Sequence, residues 1–222
     1  MPTAAGERGQ MVADVRPYEL MKLRMLNGSH SMIAYLGYLA GYQYVSDAIA
    51  NPVLRKLIHD FMTDEAMPAL PGTLDRIAYR EALLARFGNP SLRRRTWQIA
   101  MDGSQKLPQR LLGTIRDRLA AGGGFTRAAL GVAAWMRYAS GTDDNGRPID
   151  VQDPLADRCR DTATGARGSW RSLMDGFLEI REVFDEGLAR NDAFRSVLSA
   201  QLRTLSTQGS IAAISSVSSA SD

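Results

Sequence analysis

With 222 residues, 45% of them hydrophobic, the chain has apolar material for one substantial core, which excludes a wholly disordered protein and predicts a single domain with appendages. Lysine and arginine number 27 against 24 acidic residues, so the formal charge is only +3 and the pI of 9.2 reflects a small excess of arginine that does not by itself imply a nucleic-acid partner. A lone cysteine, Cys159, excludes an internal disulfide and fits a reduced, cytoplasmic setting; no run nears the ~20 apolar residues of a membrane span, and residues 1–10 lack the apolar core of a signal peptide.

Residues 1–11 read as a flexible lead-in. Beyond them apolar residues recur at intervals of three and four, the spacing of amphipathic helices, so the predicted fold class is all-α. A first long helix is predicted over about 17–50, with Pro17 in its first turn and Leu20, Leu23, Leu26, Ile33, Leu36 and Leu39 as its buried stripe. Asn51 is placed to cap a second helix over about 52–67, which Pro68, Pro71 and Gly72 end. Thr73 is placed to cap a third, carrying Leu74, Ile77, Ala78, Leu83, Leu84 and Phe87 and closed by Gly88-Asn89-Pro90. A helix after Ser91, a break at Asp102-Gly103-Ser104 and a further helix through Leu112, Ile115 and Leu119 lead to the glycine run 122–124. The stretch 125–138, rich in small residues, is predicted to be helical and central. After a polar turn at 141–150, Asp153 and Pro154 read as cap and first-turn proline, and two or three helices then reach about Leu205. The Ser/Ala-rich stretch 206–222 has little to pack and is expected to be disordered.

No segment combines an apolar strand, a glycine-rich turn and a helix, because the only glycine run sits between two helical patterns; the chain is not expected to hold NAD unaided. No repeat at a fixed period points to a solenoid.

Polar residues inside an apolar helix are the informative exceptions, since burying them unpaired is costly. In the first helix these are Lys22, Asn27 and His30, which at 100° per residue lie within about 140° of one another, enough to border one cleft. By spacing alone, a solvated lysine with two satisfied helix-polar residues outweighs catalysis. The wording around them is more specific. The run Lys22-Leu23-Arg24-Met25-Leu26-Asn27-Gly28-Ser29-His30-Ser31 resembles the signature of the mannitol dehydrogenase family, the long-chain polyol-specific dehydrogenases, and the likeness continues through 34–41, 95–110 and 131–138. It covers about 12–205 and is most similar to the fructuronate reductase (mannonate oxidoreductase) branch.

That resemblance implies a multi-helical C-terminal domain of the 6-phosphogluconate-dehydrogenase-like type, working without a metal, with no Rossmann domain present. It implies that Lys22 is the general base for the hydroxyl proton, in a desolvated, cation-flanked pocket, and that Asn27 and His30 donate to the developing alkoxide or carbonyl oxygen. Lys106 and Arg110, at i and i+4, are candidates for substrate hydroxyls or a carboxylate, against a solvated basic face. Of Arg93-Arg94-Arg95, read as helical, at most one would face the cleft. Gly37 and Gly41 read as helix packing, Tyr35, Tyr38, Tyr42 and Tyr44 as core and rim aromatics, and His59 as structural.

Relatives are about twice as long, with a nucleotide-binding domain before the helical one. The resemblance therefore implies that NAD comes from a missing or separate domain, that the chain alone has no dehydrogenase activity, and that an uncovered, partly apolar face favours self-association or a separate nucleotide-binding domain as partner. The expected small-molecule partner is a sugar acid or polyol, D-mannonate/D-fructuronate ahead of mannitol/fructose. A non-catalytic helical interaction module is the competing class, and nucleic-acid binding a weaker third.

Overall fold

The computed structural model describes residues 15–72 and 74–218. Pro17 opens α1 (Arg16–Met21), which runs through a π-turn, Lys22–Asn27, into α2 (Gly28–Leu39). The helix predicted to reach Ala50 stops early. Gly41 takes φ +87, its N–H bonds Tyr38 O, and Tyr42 N–H bonds Gly37 O, a left-handed cap that turns the chain before α3 (Val45–Ala50). Asn51 caps α4 (Pro52–Asp60) as predicted, its side-chain oxygen accepting from Val53 and Leu54 N–H. A second π-turn, Phe61–Ala66, follows. Thr73 lies outside the described residues; Asp75 caps α5 (Arg76–Phe87) through Ala78 N–H.

The helix expected after Ser91 is only a 3-10 turn, Pro90–Leu92, and Arg93-Arg94-Arg95 is not helical. Arg93 adopts φ +40, and Arg94 and Arg95 are extended against Gln43–Val45: Arg94 O accepts Val45 N–H at 2.9 Å, and Thr96 N–H reaches Gln43 O at 3.0 Å. The chain then forms α6 (Thr96–Ala100), α7 (Gly103–Leu107), a third π-turn (Pro108–Leu112), α8 (Gly113–Ala120) and α9 (Thr126–Ala139). Asp153 is not a helix cap. Its carboxylate takes Leu155 N–H and reaches across to the N–H and hydroxyl of Ser104, pinning the 102–104 break, and α10 (Ala156–Gly165) starts afterwards with Leu155 at its N-cap.

α9 is the central helix, as its small residues suggested. It packs on α2, and Gly131 permits the approach: an added Cβ would meet Met32 at 2.8 Å and Leu111 at 2.9 Å. Its other face meets α13 (Asp192–Ser218), which follows α11 (Trp170–Leu178) and α12 (Glu186–Ala189). The tail expected to be disordered is helical as far as Ser218. Gly209, at φ +83, breaks α13, Asp144 accepts the Ser210 N–H, and Ala213, Ile214 and Val217 are buried. Three apolar positions at helical spacing outweigh the serines between them, each buried Ile or Val stabilising by roughly 1.5–3 kcal/mol.

Candidate active site

The polar trio lies on consecutive turns of one continuous helix, and the π-turn sets its geometry. Gly28 N–H reaches back five residues to Leu23 O. On a straight α-helix Lys22 and Asn27 stand about 140° apart; widening the turn to i→i+5 stacks the fifth residue over the first and brings Asn27 round toward the side of Lys22. Arg24 holds the turn in place, donating to Gln109 O at 2.9 Å and to Asp117 Oδ2 at 2.8 Å. Glycine at 113 lets the guanidinium keep that position, since a Cβ there would lie 1.7 Å from Arg24 Nη1 and would make it move. Gly28 plays a matching part, with the Arg110 carbonyl and the Phe61 ring each 3.2 Å from a Cβ position.

Lys22 is exposed, Asn27 half-buried and His30 only 7% exposed. The desolvated pocket expected around Lys22 is therefore not formed by this chain's described residues: its helix face is open at that turn. None of the three side chains hydrogen-bonds another described residue. The His30 ring packs against Phe87, with centroids 4.8 Å apart. Burial, followed by the positive charges of Arg94, Arg110 and Arg86, pushes the His30 imidazole down to about 4, so near neutral pH it is uncharged and carries one N–H donor and one acceptor nitrogen.

Arg110 reaches the neighbour of His30 in the chain, its Nη1 donating to Ser31 Oγ at 3.2 Å. Lys106 is less free: its ammonium donates to Met101 O and lies 3.7 Å from Asp102. Burial and then the charge of Arg110 pull Lys106 below its usual value. Arg94 is the residue that helical spacing misplaced. Off the helix, it lines a narrow recess with His30, Val45, Ser46, Arg86, Phe87, Asn89 and Leu92; the signal was Asn89-Pro90, which ends helical structure before it.

The neighbouring features take structural roles. Tyr35 and Tyr138 pack in the core at a tilt, with centroids 5.5 Å apart. Gly37 lets Ala48 approach, whereas Gly41 serves its turn rather than packing. His59 Nδ1 pairs with Asp60 at 2.9 Å. Cys159 is buried, which pushes its thiol up to about 12 and leaves no reactive thiolate. Large exposed apolar residues, Val15, Tyr18, Ile77, Leu92 and Ile211, are scattered over several segments. Among the described residues no three His, Cys, Asp or Glu side chains are placed around a metal ion, and no helix is long and apolar enough to cross a membrane.

A dinucleotide does not fit these residues. The glycine run 122–124 precedes a helix, but the first-turn N–H groups of α9 are already taken: Glu65 accepts from Arg127 and Ala128 at 2.8 Å each, where a pyrophosphate would have to sit.

The model of the mannitol dehydrogenase C-terminal domain matches residues 14–206. Among curated relatives, the D-mannonate oxidoreductase of Escherichia coli (strain K12) is 48% identical over 202 residues, covering 90% of this chain and 41% of that protein. The mannitol 2-dehydrogenase of Pyrenophora tritici-repentis is 36% identical over 205 residues, covering 91% and 35%. Among solved structures, the Pseudomonas fluorescens mannitol 2-dehydrogenase ternary complex with NAD and D-mannitol superposes with a TM-score of 0.86 at 29% identity, over 93% of this chain and 42% of that one. The chain thus spans about two-fifths of the length of the relatives it matches.

Proposed function

The chain belongs to the mannitol dehydrogenase family, matching its C-terminal domain, and from that premise we propose that it is the substrate-binding and catalytic half of an NAD-dependent oxidoreductase interconverting a sugar acid or polyol and its 2-keto form, with D-mannonate and D-fructuronate as the preferred pair. The observation that carries this reading is a row of three polar side chains, Lys22, Asn27 and His30, on an otherwise apolar helix, none of them satisfied by a described residue. Of the three, His30 is the buried one, and its ring N–H, with no described partner, is open to a ligand.

Alcohol oxidation removes a hydride from carbon and a proton from oxygen, and this chain's residues serve the oxygen. Neutral Lys22 would take the hydroxyl proton at Nζ in oxidation and return it in reduction. Asn27, through its amide N–H, and neutral His30, through its ring N–H, would donate to the same oxygen as it gains charge. Arg110, braced on Ser31, and Lys106 would orient the remaining hydroxyls or the carboxylate. NAD supplies the hydride acceptor from another domain, and the same domain, laid over the open face at Lys22, would exclude water there and favour the uncharged amine.

The isolated chain should therefore leave NADH unconsumed with D-fructuronate, matching a no-enzyme control, and gain activity when joined to a family nucleotide-binding domain. Turnover by the isolated chain would contradict the division of labour, and a folded but inert joined protein would contradict the catalytic assignment. A polyol substrate is the second reading, favoured by the superposition on the complex with D-mannitol.

A further inference from the structure

A cleft of about 360 Å³ opens between the C-terminal end of α9, α10, the start of α11 and α13, a volume in the range of small-molecule sites. Among the described residues Arg137 is the only charged side chain lining it, and no carboxylate faces it. Elsewhere in the fold the guanidiniums that leave bulk water, Arg24, Arg80, Arg127 and Arg195, each stand against a carboxylate. Arg137, half-buried in the last turn of α9, does not: its Nε is closed off from solvent, and the guanidinium bonds no described residue. Its place at the end of α9 suits a cation, but the dipole of the helix supplies no acceptor to the fork.

The hydroxyl groups lining the same cleft divide by where their protons go. Ser140 and Thr164 donate theirs to the carbonyls of Met136 and Arg160, one turn earlier in the chain. Ser169, the cap of α11, accepts from the N–H and the hydroxyl of Ser172 and keeps its own proton. Thr142 and Ser206 donate to no described residue, and Ser206 differs in this from Thr204 and Thr207 beside it on α13, which bond back to Ala200 and Arg203. Three uncommitted O–H donors, from three separate segments, thus share the cleft with one unpaired guanidinium. Trp170 and Leu173 give it an apolar wall, and α11, nine residues long, starts there with the positive end of its dipole. A planar carboxylate is satisfied by the guanidinium fork, whereas donors spread over several segments suit the tetrahedral oxygens of a phosphoryl group.

We propose that this cleft is a second ligand site, taking a small organic phosphate ester whose phosphoryl oxygens meet Arg137, Thr142, Ser169 and Ser206 and whose carbon skeleton lies against Trp170 and Leu173. The site is separate from the polar trio. Arg137 also lines a neighbouring cleft with Leu39 and Ala40, at the end of α2, and Ala40 lies about 15 Å along that helix from His30. A ligand held there ties α9, α11, α13 and the 141–150 turn together, so it stabilises the fold instead of taking part in the chemistry at His30.

Isothermal titration calorimetry on the full chain tests this with D-glucose 6-phosphate and glycerol 3-phosphate as ester probes and with D-glucose, inorganic phosphate and D-gluconate beside them. The expected result is saturable binding of at least one ester, with the other three compounds weaker by roughly tenfold or more. Arg137→Gln should weaken the ester by roughly tenfold to hundredfold and Ser206→Ala by about threefold to tenfold, while His30→Gln leaves it unchanged. Binding of neither ester, or binding that neither Arg137→Gln nor Ser206→Ala weakens, overturns the site. Inorganic phosphate bound as tightly as the esters overturns recognition of an organic ligand, and D-gluconate bound as tightly overturns the choice of a phosphoryl group. A loss in His30→Gln equal to that in Arg137→Gln puts the ligand at the candidate active site and overturns a separate one. Wild-type urea midpoints in Arg137→Gln and Ser206→Ala, neither of which removes a bond to a described residue, establish that both variants are folded.

Discussion

Two π-turns in this molecule present polar side chains in opposite ways. At Phe61–Ala66 every group is closed. Glu65, 2% exposed, accepts two backbone N–H groups of α9, and Arg127 stands 3.2 Å from Asp64, 3.6 Å from Glu65 and 3.7 Å from Asp60, which itself takes Lys56 and His59. At Lys22–Asn27 only Arg24 is closed, and it faces inward; Lys22, Asn27 and, one turn on, His30 are bonded to nothing described. The same backbone device thus serves a structural lock in one place and leaves polar side chains open in the other. What separates them is whether the protein supplies the partner.

The largest effect should come from opening the closed turn. Glu65→Ala takes one of three carboxylates from Arg127 and strips the cap from α9, and should cost about 3–5 kcal/mol in urea denaturation. A cost below about 1 kcal/mol would remove the contrast between the two turns.

His30 gives the next effect. Its folded imidazole takes a proton only near pH 4, whereas the unfolded one does so near 6.5, so between those values the unfolded state binds more protons. Stability tied to His30 is therefore complete above pH 6.5 and is lost as the pH falls toward 4, by about 3 kcal/mol in all. Burial pushes Glu65 the other way, up to about 7, so its term falls with rising pH in an overlapping window; the difference between wild type and His30→Gln isolates the histidine. A pH-independent difference would mean that His30 is not desolvated.

Least affected should be variants of the open turn. Lys22→Ala and Asn27→Ala remove no bond to a described residue and should move the urea midpoint by the equivalent of about 0.5 kcal/mol or less. A loss of 2 kcal/mol in either would turn that side chain into a structural one.

The all-α fold was legible because glycine and proline punctuate three-and-four spacing at 51–52, 88–90, 102–104 and 122–124. The π-turns were not, since shifting a hydrogen bond from the fourth to the fifth residue leaves no compositional mark. The helical pattern also ran past Gly41, where only the backbone's left-handed φ reveals the turn. In the tail, Ala213, Ile214 and Val217 were hidden among serines. For the site, the family wording located the trio, but exposure of Lys22 and the delivery of Arg94 to His30 depend on tertiary packing that no local run of residues encodes.

The central claim is that the amine at Lys22 moves the substrate's proton. The most direct test joins this chain to a family nucleotide-binding domain and compares wild type with Lys22→Ala in D-fructuronate reduction, with and without added methylamine. The account predicts a kcat lower by about 100- to 10,000-fold, a KM little changed, and partial recovery with methylamine. A Lys22→Ala protein that turns over at the wild-type rate would contradict it.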